Sequence, residues 1–396
     1  MRENKPCWRG FFLIFCMYIL VFQNILQVYL KFFKYFDELL AILVIPTGII
    51  KLISPQNTYK IKKDNLIIVL CLVCLFFSGI ISNIIYKYQD VKIYLSDVIL
   101  VFKFFGVYLF TNWIWKDKLT NKDKVVIRIN LKIIIRILFI LTIANYIFKL
   151  WPSQKRFGIM ANSLFYTQPT ALAAVCVFLI ALLYFLSYEQ PKKELLMVSL
   201  IMISTLRLKS IGTVTMILVI VLFVFKTKEK ITITKLFFLG ILLIIVGLDQ
   251  INYYFIDFNE SARNQLLIKS IQIAKDYFPL GTGFATFGSY MSGVSYSLIY
   301  SKYGLNHIHG LIEGNTSFIS DTFWPMILGQ FGVVGLVSYL AVLVLLFKKI
   351  QLSFRKDNLF EYVSKLICFF YLLISSTSEA AFVHTFAISL AIVLAL

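Results

Sequence analysis

Charged residues are scarce in this chain. Asp, Glu, Lys and Arg together make up 15% of 396 residues, and histidine occurs three times. A soluble domain carries roughly 25% charged and about 45–50% apolar residues; here 59% are apolar and the mean hydropathy is +0.82. That excess excludes a water-soluble globule, because such a surface must face lipid. Acid is scarcer than base, 20 residues against 39, leaving a net charge of +19. The basic residues cluster between apolar runs rather than along one amphipathic face, which is the pattern of cytoplasmic loops and sets nucleic acid aside as a partner. Cysteine is sparse, with six residues, five of them inside apolar runs. Cys71 and Cys74 spell CxxC but stand mid-run at helical spacing, with no second pair or nearby histidine, so they read as small apolar residues. There is no Walker loop, no GxGxxG after a strand, no HExxH and no GxSxG, which argues against nucleotide-driven work. No internal repeat or low-complexity tract is present. The first apolar run lacks a small-residue cleavage site and reads as a retained span rather than a signal peptide.

What remains is an all-α polytopic membrane protein. A helix needs about 20 apolar residues to cross roughly 30 Å of hydrocarbon. Twelve runs of about this kind can be laid out, at residues 11–30, 36–53, 65–85, 96–115, 131–150, 164–187, 195–206, 211–225, 236–252, 319–347, 359–375 and 378–396. The seventh and eighth are short and separated only by the polar RLKS (207–210), so one broken or re-entrant unit is an alternative there. With the N-terminus inside, the inner segments hold 22 Lys and Arg and the outer segments 13. Both termini are therefore expected in the cytoplasm. Residues 1–252 form nine spans, 253–318 a large external loop between helices 9 and 10, and 319–396 the last three spans. The loop is rich in glycine and aromatics, including Tyr277, Phe278, Phe284, Phe287, Tyr290, Tyr296, Tyr300 and Tyr303. It reads as structured; its rings suit either a membrane interface or stacking on sugars.

Four cations fall at external helix ends: Arg156, Arg207, Lys209 and Arg263. Singly, each suits a snorkelling anchor; converging on one face, they would favour an anionic ligand such as a lipid pyrophosphate. Arg263 opens the segment ESARNQLLIKSIQIAK (260–275), whose apolar positions approximate one helical face. Asp321 stands at the mouth of a glycine-bearing span, either as a helix cap or as a proton acceptor. Glu379 has the same ambiguity, and the cap is its simpler role. His307, His309 and Glu313 match no metal motif of known geometry, so no metal or other cofactor is expected; His309 is a second proton-acceptor candidate. His384, inside the last run, reads as an interior histidine.

The segments FPLGTGFATFGSY (278–290), YSKYG (300–304) and SDTFWPMILGQFGVVGL (320–336), with Arg263 ahead of them, resemble bacterial Wzy-type polysaccharide polymerases of the O-antigen ligase and polymerase superfamily. The resemblance extends to RFGIMAN (156–162), LRLKSIG (206–212) and SEAAF (378–382), and the order of these strings around a large external loop carries it. Ser320-Asp321 replaces the His-Asn of the ligase branch, which favours polymerases. The resemblance implies a metal-independent membrane glycosyltransferase on the external face of the bacterial plasma membrane. Its partners would be undecaprenyl-pyrophosphate-linked oligosaccharides, membrane lipid and other capsule or polysaccharide assembly proteins. Arg156, Arg207, Lys209 and Arg263 would bind the pyrophosphate, and Asp321, with His309 behind it, would take the proton of the attacking sugar hydroxyl. Ligase-type transfer to another acceptor and a lipid-linked oligosaccharide flippase are the alternatives.

Overall fold

A computed structural model describes residues 8–53, 63–115, 119–156, 158–252 and 261–396. About 74% of the described residues are helical. Helices α1 (Trp8–Tyr29), α2 (Phe36–Ile53), α3 (Lys63–Tyr86), α4 (Val91–Trp115) and α5 (Asn121–Phe148) precede a two-stranded hairpin, β1 (Lys155–Arg156) and β2 (Ile159–Met160). Then come α6 (Pro169–Leu186), α7 (Lys192–Ser204), α8 (Leu208–Thr227), α9 (Ile233–Ile251) and α10 (Ala262–Asp276). Two short helices, α11 (Tyr290–Val294) and α12 (Leu298–Lys302), lead to α13 (Trp324–Leu352), α14 (Leu359–Ser376) and α15 (Ala387–Ala395).

Seven of these helices, α1, α3, α4, α6, α8, α13 and α14, are long and apolar enough to cross a membrane. Their burial pattern is that of helices in lipid. On α3 the outward stripe is Leu66, Val69, Leu70, Val73, Phe77, Ile81 and Ile84, all exposed. Its inward face carries Ser78, Gly79, Ser82 and Asn83. Small and polar residues face the neighbours because lipid offers no hydrophobic reward for burying leucine, so close packing and hydrogen bonds hold the bundle instead. α6 is apolar all round and buried almost throughout, which puts it at the centre, against α5, α7, α14 and α15.

The other apolar runs are helical at least in part among the described residues but are not among these seven. α5 carries Lys122, Lys124, Arg128, Lys132 and Arg136, and α7 has 13 residues. The last run departs most from a continuous span. Residues 377–386 are turns, and only the nine residues of α15 are helical, about 14 Å at 1.5 Å per residue. Helical continuity yields there to side chains from elsewhere: Arg263 takes the carbonyl of Ser378, and Lys209 takes the carboxylate of Glu379.

The loop between α9 and α13 is folded, as its composition suggests. Leu266 and Ile273 of α10 pack with Phe287, Ile299, Tyr300, Leu305, Leu311 and Ile319 into a core separate from that of the bundle. Ser261, Ser289 and Ser297 cap α10, α11 and α12 by accepting backbone N–H bonds. Residues 279–285 insert into the bundle. α13 is broken at Gly332 (φ 60°, ψ −158°), and at this break Thr282 N–H donates to Gly329 O (3.0 Å), Gly283 N–H to Gln330 O (2.8 Å) and Val334 N–H to Pro279 O (3.3 Å). A Cβ at Gly281 would collide with the α13 backbone at Gln330 and Gly332, so only glycine lets the chains approach this closely. Asn83 of α3 pairs with the Phe284 backbone on both sides, and Asp97 of α4 accepts the Ala285 N–H at 2.7 Å. The glycine-rich string is thus a plug fixed by polar residues of three helices.

Candidate functional site

The break between α7 and α8 presents two cations. Thr205 and Leu206 turn the chain, Leu206 at φ 51°, so that Arg207 becomes the N-cap of α8 and Lys209 lies in its first turn. Lys209 Nζ pairs with Glu379 at 2.7 Å, with only 9% and 23% of the two side chains exposed. Arg263, on the first turn of α10, donates from Nη2 to Asp321 Oδ2 at 3.1 Å and to the Ser378 carbonyl at 3.3 Å. Arg207 and Arg263 both act electrostatically on Lys209. Three cations from two distant segments and two carboxylates from two others therefore meet at the end of the bundle that carries the folded loop.

Asp321 and Glu379 are not caps. α13 has Phe323 as its N-cap, with no side-chain cap bond, and the Asp321 carboxylate faces Arg263. Burial pushes the Asp321 carboxyl up from its ordinary range, and the Arg263 guanidinium only partly reverses this. Trp324, three residues further on, donates its Nε1–H to Ser376 Oγ at 3.1 Å.

Arg156 and His309 stand apart. Arg156 sits half-buried in the β1–β2 hairpin, opposite Ile159. The hairpin is tied to the end of α7 through Asn162, whose N–H donates to Ser204 O at 2.9 Å, and Asn145 donates to Asn162 Oδ1 at 2.9 Å. Arg156 is thus on the same end as Arg207, without a contact to Lys209 or Arg263. His309 is exposed; Asn315 Nδ2 lies 3.4 Å from its Nε2, and its ring lies against Phe318. Most of the aromatics read as sugar or interface candidates, among them Tyr277, Phe284, Phe287, Tyr300 and Tyr303, are buried in the two cores; Phe278 and Tyr290 remain exposed, at 70% and 61%.

Two features go beyond the sequence reading. Lys103, halfway along α4, pairs with Asp37 at 2.6 Å and reaches Glu38 at 3.5 Å, with 1–2% of the Lys103 and Asp37 side chains exposed. Ionisable residues in apolar runs were the available signal. The second is His384, in the turns before α15, which shares the electrostatic surroundings of Glu379, Lys209, Lys103 and Asp37. At the opposite end of the bundle a separate cavity of about 530 Å³ is lined by Asp64, Lys124, Lys349, Arg355 and Lys365 among others.

No protein-family model matches this chain, and no curated protein is similar to it.

Proposed function

We propose that the protein is a membrane glycosyltransferase that polymerises undecaprenyl-pyrophosphate-linked oligosaccharide repeat units, as Wzy-type polymerases do, on the external face of the bacterial plasma membrane with both termini in the cytoplasm. The observation that carries this reading is the meeting of Arg207, Lys209 and Arg263 beside Asp321 and Glu379 at the loop-bearing end of an apolar bundle. A membrane-borne anion is the ligand this arrangement suits, since guanidinium and ammonium groups held in partly dry surroundings bind phosphate oxygens strongly.

In the transfer, a hydroxyl of the incoming repeat unit attacks the anomeric carbon of the growing chain, and the lipid pyrophosphate leaves with the bonding electron pair. The cations stabilise the charge that develops on that leaving group. Asp321 and Glu379 hold Arg263 and Lys209 in position. Asp321, expected from the sequence to be the proton acceptor, has its carboxylate committed to Arg263.

Purified protein in lipid nanodiscs, given a purified lipid-linked repeat unit with chelator and without nucleotide, is expected to produce a ladder of longer glycans. Lipid-linked substrate that is moved across the bilayer but never extended would favour the flippase reading instead.

A further inference from the structure

A glycosyl transfer from a pyrophosphate donor needs a group to receive the hydroxyl proton, and that group must be reachable and not already neutralised by an ion pair. Asp321 is engaged by Arg263 and Glu379 by Lys209. His384 differs from both. Among the described residues its imidazole nitrogens have no hydrogen-bond partner. The ring stacks on Phe386, with centroids 5.7 Å apart and planes 16° from parallel, which fixes its plane and leaves both nitrogens free.

Its surroundings are those of a crevice inside the protein. Ala381, Phe382, Phe386 and Ala387 on either side are all buried, at 5% exposure or less, yet His384 itself is exposed. The charged groups that act on it come from four elements: Glu379 of its own segment, Lys209 of α8, Lys103 of α4 and Asp37 of α2. Lys103 and Asp37, which act on it electrostatically, are buried, whereas the His384 ring keeps open surface. The irregular backbone at 377–386 fits this placement, because non-helical chain at membrane depth persists only where it is enclosed by protein or lines a water-filled cavity.

We propose that His384 is the group that takes the proton from the attacking sugar hydroxyl, an assignment that rests on the polymerase reading above. The hydroxyl oxygen forms its bond to the anomeric carbon, the bond from that carbon to the pyrophosphate oxygen breaks, and the proton passes to an unprotonated imidazole nitrogen. Glu379, while paired with Lys209, also acts electrostatically in favour of the imidazolium that results. Asp321 then acts as a positioning residue for Arg263.

The test has two arms. In the first, extension of a lipid-linked repeat unit is followed against pH. Wild-type turnover should fall on the acid side as an imidazole becomes protonated, because only the neutral form accepts a proton. His384→Gln should lose about 10²- to 10⁴-fold in kcat, the usual contribution of general-base catalysis, and lose the acid limb; imidazole added to His384→Ala should restore part of the rate. Asp321→Asn should be slower but keep the acid limb. Near-normal turnover in His384→Gln, or loss of rate with the limb unchanged and no rescue, overturns the assignment. The second arm needs no turnover. Diethylpyrocarbonate should modify His384, and undecaprenyl pyrophosphate should protect it while leaving exposed His307 reactive. Wild-type protein that extends nothing overturns the polymerase reading; a His384 that is inert or unprotected overturns this assignment on its own.

Discussion

Arg263 is the cation with the most defined geometry, since one guanidinium joins Asp321 and the Ser378 carbonyl. Arg263→Ala is expected to reduce glycan extension by about 10²- to 10³-fold, the scale seen when one preorganised charge stabiliser is removed, with membrane protein level near normal. Arg263→Lys should rescue poorly, because a point charge cannot reproduce the bidentate contact of a guanidinium to phosphate oxygens. Full-length polymer from Arg263→Ala in a gel of cell-surface glycan would remove the residue from the site. Glu379→Gln frees Lys209 from its closest partner and leaves a buried cation less compensated. Weaker retention of the lipid-linked donor than in wild type is expected in a binding assay, since Lys209 loses the anchor that aims it. The Arg156 hairpin stands beside this cluster without touching it, so Arg156→Ala should cost less than Arg263→Ala in the same gel.

At the scale of elements, the inserted loop 279–285 and the broken helix α13 depend on each other. Gly332 lies at φ 60° and Gly281 at φ 77°, where a side chain costs roughly 1–2 kcal/mol by itself, and a Cβ at either would also run into the facing backbone. Gly332→Ala should therefore lower the thermal midpoint of the detergent-solubilised protein. Gly240→Ala in α9, where nothing lies within 4 Å of an added Cβ, should leave the midpoint unchanged or raise it slightly. Equal midpoints for the two variants would show that the loop is not anchored at the α13 break. The loop was legible as structured from its glycines and aromatics. Its insertion was not, because Asn83, Asp97 and Gln330 lie on three helices far apart in the chain.

For the whole molecule, the excess of Lys and Arg in alternate loops predicts which way the bundle is oriented. A cysteine at Asn306, an exposed position in the folded loop, is expected to react with an impermeant thiol reagent in intact cells. A cysteine at Glu189, in the exposed turn between α6 and α7, should react only after lysis. The reverse pattern would invert the bundle and put the charged cluster in the cytoplasm.

Composition and the spacing of apolar runs were sufficient to establish a helical membrane protein, because lipid accepts no other use for so many exposed leucines, isoleucines and phenylalanines. They also located the helical segments and the break at RLKS, where polar residues interrupt an apolar run. The full count of twelve spans did not follow, since whether an apolar run such as 378–396 stays helical depends on what competes for its backbone. Arg263 and Lys209, more than a hundred residues away, claim the Ser378 carbonyl and the Glu379 carboxylate there. The same holds for the site. The sequence could nominate Arg207, Lys209, Arg263 and Asp321 by charge and position, but it could not tell a cap from a counter-ion at Asp321 and Glu379, nor an interior histidine from an accessible one at His384. Those distinctions are set by which helix ends meet, and that is decided by tertiary packing, because the energy of a charge in an apolar bundle depends on the partner brought beside it.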